Sequence, residues 1–184
     1  MQHVLRHRVF TSFHHDNQYY KNLFAEMLEN EIVDKSVGDG DIDDNIATET
    51  IRQSIRDNFI RDATVTVVLV GPCTWQRKHV DWEIGSSLRD TKRNSRCGLL
   101  GVLLPSHPDY GRSGYNERLI PPRLADNCGG LDPYASVYNW STQSNDIRTW
   151  IHRAFERRTG AAPNNTRLQF RYNRGGACGN GWSS

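Results

Sequence analysis

The 184-residue chain has no long hydrophobic run. Its longest apolar stretch, Val65–Val70 with its neighbours, falls far short of the ~20 residues needed to cross a bilayer. The first residues, Met-Gln-His-Val-Leu-Arg-His-Arg, lack the apolar centre and small-residue cleavage site of a signal peptide. The expectation is a cytoplasmic protein with no membrane partner. Cysteine is scarce: the four, at 73, 97, 128 and 178, form no CxxC and no Cys/His pair with zinc spacing. Free thiols in a reducing compartment and no bound metal are therefore expected. Charge of one sign is scarce as well. The net charge is +2, and residues 160–184 hold three arginines and no acid, so the first 159 residues carry −1. A basic face for nucleic acid is missing. Also missing are GxGxxG, GxxxxGK[ST] and GxSxG, which removes the main support for dinucleotide oxidoreductases, P-loop NTPases and serine hydrolases.

What remains is the composition of a globular protein, 36% hydrophobic and 24% charged. Residues 8–13 (RVFTSF) read as a strand, broken by His14-His15-Asp16. Tyr20, Leu23, Phe24, Met27 and Leu28 then follow helical spacing, with Asp16 as the expected N-cap. Residues 26–49 hold nine acids against one lysine and read as solvated surface; any strand within 34–45 is poorly marked. A second helix is expected over about 48–61 along Ile51, Ile55 and Phe59. TVTVVLV (64–70) is a strand covered on both faces. Residues 75–89 are helical again, with Val80, Ile84 and Leu88 inward, and GLLGVLL (98–104) is another buried strand. Residues 105–134 are loop-rich, with five of the seven prolines. A short strand at 135–140 and a helix at 146–158 close the body. Strand and helix in alternation predict a doubly wound parallel α/β sheet of flavodoxin-like size, with helices on both faces. The division expected is a domain over 1–159 and a Gly/Asn-rich basic tail over 160–184. In that tail Leu168, Phe170 and Tyr172 alternate as in an edge strand, and its loss is expected to leave a folded domain.

Ligands of such a sheet bind beyond the carboxyl ends of the strands. Three segments land there: residues 13–16, residues 71–75 and the loop after Leu104. Glu83 stands out, because His79, Glu83 and Ser87 form the stripe about 100° from the buried one. A carboxylate there borders the core behind the Gly71-Pro72 strand end. On helical pattern alone it reads more readily as a boundary residue paired with Arg77 or Lys78, or bonded to Ser87, than as a catalytic group. Asp81, about 200° from Glu83, is expected to face away and pair with Arg77. Cys73 with His79 could serve as nucleophile and base, but nothing in the sequence orients the imidazole.

Several segments together resemble a known family. RVFTSFHHD is similar to the first strand and loop of TIR domains. TVTVVLVGPCTWQRKHVDWEI resembles their central strand and the following Trp-Cys-x-x-Glu-Leu helix, with His79 in place of the Trp, Val80 in place of the Cys, and Glu83-Ile84 matching Glu-Leu. GLLGVLLP resembles the next strand, and PPRLADN with YASVYNW is similar to the TIR-like group of bacterial Thoeris antiphage systems.

The resemblance implies cleavage of NAD at the nicotinamide–ribose bond, with Glu83 as the catalytic glutamate and NAD as substrate rather than cofactor. Phe13 and His14 would line the nicotinamide–ribose pocket, with Asp16 behind them. Gly71 and Trp75 would form the third loop, and His79 would alter the pocket. A cyclic ADP-ribose-type product would be a diffusible signal to a partner effector, and self-association would complete the site. Two other readings stay open: a non-catalytic TIR-type interaction module, and an enzyme resembling nucleoside deoxyribosyltransferases.

Overall fold

The computed structural model describes residues 6–33 and 48–183. Five parallel strands, β1 (Val9–Phe13), β2 (Ile32–Val33), β3 (Val65–Val70), β4 (Gly98–Leu103) and β5 (Ala135–Asn139), form one sheet in the order β2-β1-β3-β4-β5. Val9 stands opposite Ile32 on one side and Val65 on the other; Val65 opposes Gly98, and Leu99 opposes Ala135. This is the flavodoxin-like doubly wound order, as the alternation of elements predicted. β1, β3 and β4 read as nearly unbroken apolar runs because both sheet faces are covered.

Alternate strand residues serve opposite faces. Val9, Val65, Val67, Leu69, Leu100 and Val102 pack with Phe24 and Leu28 of α1 (Gln18–Leu28) and with Ile147, Ile151 and Ala154 of α5 (Ser144–Gly160). Val68, Val70, Leu99 and Leu103 pack with Val80 and Ile84 of α3 (Lys78–Ser87), with Leu88 at its C-cap, and with Leu124 of α4 (Pro122–Ala125). Phe10 meets Ile51 of α2 (Thr48–Ser54), Ile55, and Trp82 of α3. So α1 and α5 cover one face, and α2, α3 and α4 the other. At position 98 a Cβ would lie 2.1 Å from the Ala154 carbonyl oxygen, so glycine is what admits α5 to its seat on β4.

Local departures from the sequence expectations have local causes. α1 begins at Gln18 with Asn17 at its cap; Asp16 belongs instead to a 3-10 turn, His15–Asn17, whose amide is taken by the His14 ring. α2 widens into a π-helical turn over Ile55–Phe59. The loop-rich segment holds α4 and a 3-10 turn at Glu117–Leu119. β2 lies within the acid-rich stretch, and residues 34–45, where a poorly marked strand was considered, lie outside the described residues.

After α5 the chain turns back over α3 and α4 and forms no strand among the described residues. It is held by polar contacts to buried groups. Asn165, the Leu168 carbonyl and the Phe170 amide meet the buried Arg123–Asp81 pair. Arg167 forms a two-point bond with Asp126 at 2.6 and 2.7 Å. The indole N–H of Trp82 donates to the Phe170 carbonyl at 2.8 Å, and that of Trp182 to Ile120 at 2.9 Å. Phe170 is buried, while Leu168 and Tyr172 beside it are exposed. An edge strand would have kept the three on one face.

The expectation of four free thiols is corrected here. Cys73 and Cys178 form a disulfide across 105 residues, and Cys97 and Cys128 are free. The sequence could not show it, because only the return of the tail brings Cys178 to the loop after β3. Closing so long a loop restricts the unfolded chain by up to about 4–5 kcal/mol in the chain-entropy model. Reduction by excess dithiol is therefore expected to lower the melting temperature clearly, and Cys178→Ser to reproduce the shift in the absence of reductant. Unchanged melting in both would show that the tail's hydrogen bonds suffice.

Candidate functional site at the β1–β3 switch point

α1 leaves β1 on one face of the sheet and α3 leaves β3 on the other, so a crevice opens beyond the carboxyl ends of these neighbouring strands. Two loops meet over it. Asn17 of the first loop lies against Gly71 of the third: a Cβ at 71 would come within 2.5 Å of Asn17 Nδ2. Thr74 Oγ1 accepts from the Gly71 amide at 2.9 Å and shapes the turn. His79, at the start of α3, donates from Nε2 to the Phe13 carbonyl at 3.1 Å; a carbonyl only accepts, so Nε2 holds the proton. Phe13 is half-buried.

Ser12 shares the α3 side of β1 with Phe10, two residues away. Its hydroxyl donates to the Glu83 carboxylate. Glu83 is 1% exposed, deeper than the boundary position its helical stripe suggested. It is neither solvated surface nor bonded to Ser87, whose hydroxyl donates to the Ile84 carbonyl.

His14 is also 1% exposed. Its Nδ1 accepts the Asp16 amide at 3.2 Å, so the neutral ring carries its proton on Nε2, and that atom has no hydrogen-bond partner. Burial, reinforced by the Arg77 guanidinium, lowers its pKa to about 4 although the Asp16 carboxylate lies 3.2 Å away. The Asp16 carboxylate is exposed and also contacts His15 at 2.9 Å. His14, His15 and Asp16 bring three ligand atoms within 4.8 Å. His14 Nδ1 is taken by the Asp16 amide, while His15 and Asp16 are exposed, as polar groups commonly are without an ion.

A depressed histidine pKa makes acid destabilising. Between about pH 6.5 and 4 the unfolded chain binds a proton at residue 14 that the folded chain refuses, so stability falls as pH drops through that window and levels off below it. His14→Gln is expected to remove up to about 3 kcal/mol of this loss. The difference between wild-type and variant melting curves across pH isolates it from His7 and His107, whose pKa values burial also lowers. Parallel curves would overturn the assignment.

Trp75 is 3% exposed and lies under the tail, its Nε1 donating to the Cys178 carbonyl at 2.9 Å. The structure thus brings Phe13, His14, Gly71, His79 and Glu83 together, puts Asp16 at the rim and buries Trp75 beside them. Asp81 requires correction. Instead of pairing with Arg77, it is 2% exposed and bonded to Arg123. The Cys73–His79 couple is also removed: the sulfur is in the disulfide and the imidazole serves Phe13. The free thiols are no substitutes, since burial raises the pKa of both, that of Cys128 to about 11. Sequence reasoning missed Ser12, Asn17 and the situation of Arg77. Only for Ser12 was there a signal, its two-residue offset from Phe10.

No curated protein matches the chain. Residues 10–109, which run from β1 past β4 and include every residue of the crevice named above, match the family model described as Thoeris protein ThsB, TIR-like domain. The match covers more than half of the sequence, and the all-parallel sheet is consistent with it. The chain belongs to the TIR-like domain family of the Thoeris protein ThsB.

Proposed function

We propose that this protein cleaves the nicotinamide–ribose bond of NAD, with Glu83 as the catalytic carboxylate. Its cyclic ADP-ribose-type product would signal to a partner effector in antiphage defence. The observation that carries the reading is a buried carboxylate, held by the Ser12 hydroxyl, at the switch point of a TIR-like sheet.

The chemistry suits one carboxylate. Nicotinamide leaves a cationic nucleotide as a neutral base, so no general acid is required. The developing charge is on an oxocarbenium-like ribose, which a preoriented carboxylate stabilises. Ser12 fixes the orientation of Glu83, and the His79–Phe13 bond ties the start of α3 to the end of β1. Capture of the cation by a group of the same molecule gives a cyclic product; capture by water gives ADP-ribose. Neither route calls on a metal or redox cofactor. No helix among the described residues is long and apolar enough to cross a membrane, and the reading puts the protein in the cytoplasm with its substrate. Self-association would complete the site, so specific activity is expected to fall on dilution to a demonstrated monomer.

One observation favours a second reading, a non-catalytic interaction module: Glu83 is almost wholly buried and hydrogen-bonded, as a structural carboxylate would be. Incubating the protein with NAD and, separately, with a deoxynucleoside separates the readings. Nicotinamide release supports the NAD enzyme. Base release from the deoxynucleoside alone indicates a deoxyribosyltransferase-like activity, and release from neither leaves the module.

A further inference from the structure

Arg77 has lost the partner its sequence position suggests. Four residues before Asp81 it stands at helical pairing distance, yet the Asp81 carboxylate is committed to Arg123 at 2.8 Å. Arg77 Nε is buried without a hydrogen-bond partner, and no ion pair among the described residues uses its guanidinium. Arg77 is also the N-cap of the ten-residue α3 and makes no side-chain cap bond. The buried His14 presents a second unpartnered donor, Nε2–H. The His79–Phe13 hydrogen bond at 3.1 Å ties the residue before His14 to the second residue after Arg77 and so draws the two segments together, and the guanidinium disfavours charge on the imidazole.

Two buried, unmatched N–H groups at one place in a native fold call for an acceptor. Both are donors, one is a permanent cation, and the positive end of the α3 dipole adds to them. The missing acceptor is therefore an anion. A guanidinium fork suits phosphate oxygens, which it binds by paired hydrogen bonds.

We propose that Arg77 and His14 Nε2 form a phosphate subsite that holds the diphosphate of a nucleotide at the mouth of the crevice. This rests on the NAD reading for its ligand, though not for its existence. The subsite and Glu83 are six residues apart along α3, about 9 Å by helical rise. A diphosphate held at Arg77 leaves the ribose attached to it to extend inward towards the carboxylate. Arg77 thereby supplies binding and orientation, and keeps the anionic end of the ligand away from Glu83.

Calorimetric titration of the full chain with ADP, adenosine and inorganic phosphate tests this. Wild type is expected to bind ADP, and Arg77→Ala to weaken that binding tenfold or more, the scale of a charge-assisted hydrogen bond. Adenosine binding should be equal in the two proteins. ADP, and not adenosine, should shift the ring-nitrogen NMR signals of His14. The melting temperature should hold, since Arg77 Nε makes no hydrogen bond to lose; Arg77→Met, which keeps the aliphatic stem, replaces the alanine variant if that unfolds. ADP binding that is absent in wild type or equal in the variants overturns the proposal. Phosphate bound as tightly as ADP overturns the nucleotide assignment in favour of free phosphate. Loss of ADP binding in Arg77→Ala without any NAD cleavage by wild type would sink the enzymatic reading and leave the subsite standing.

Discussion

Asp81→Asn is expected to destabilise the fold by about 3–5 kcal/mol, the cost of breaking one side of a buried ion pair. Arg123 is fully buried, and its Nε and Nη2 meet the two Asp81 oxygens at 2.8 and 3.2 Å. One of those oxygens also accepts the Phe170 amide at 3.0 Å. An asparagine keeps one acceptor and turns an N–H₂ towards groups that only donate, leaving a guanidinium uncompensated in the core. For a chain of this size the melting temperature should drop by roughly 10 °C or more. Replacing both partners, as in Asp81→Leu with Arg123→Met, should recover most of the loss, because a matched apolar pair carries no desolvation penalty. An Asp81→Asn protein melting within a degree or two of wild type would mean that water solvates the pair. The contact also carries the tail, so truncation after Gly160 should be destabilising too, against the expectation from its composition.

Glu83→Gln should leave the melting temperature nearly unchanged while nicotinamide release from NAD falls on the order of 10²-fold or more, the scale of removing one preoriented electrostatic group. The amide is isosteric, and its oxygen can still accept from Ser12 Oγ. What disappears is the charge that would stabilise the oxocarbenium ion. Ser12→Ala is the companion variant: it keeps the charge and removes the orientation, so a smaller fall is expected. An active Glu83→Gln enzyme would sink the mechanism even with the fold intact. A large stability loss with unaltered cleavage would instead identify Glu83 as a structural carboxylate. Asp81→Asn, which the expected pairing with Arg77 would have made a neutral control, is unsuitable because it perturbs the core.

The strand β3, the helices α1, α3 and α5, and with them the parallel sheet were legible in the chain because burial leaves a periodic trace. TVTVVLV has no polar face to show, and Val80, Ile84 and Leu88 repeat every fourth residue. Glu83 was legible as a carboxylate behind a strand end for the same reason. The tail left no such trace: its attachment runs through amides, carbonyls and indole N–H groups meeting buried charges, and hydrogen bonds between distant residues have no period. That is why Cys73 met Cys178, why Asp81 turned inward to Arg123, and why Arg77 was left with a buried Nε that has no hydrogen-bond partner. Each outcome depends on which residues far apart in the chain share a place, and only the closed fold sets that. Sequence periodicity decided which way the helices face, and the return of residues 161–183 over α3 and α4 decided which charges are paired.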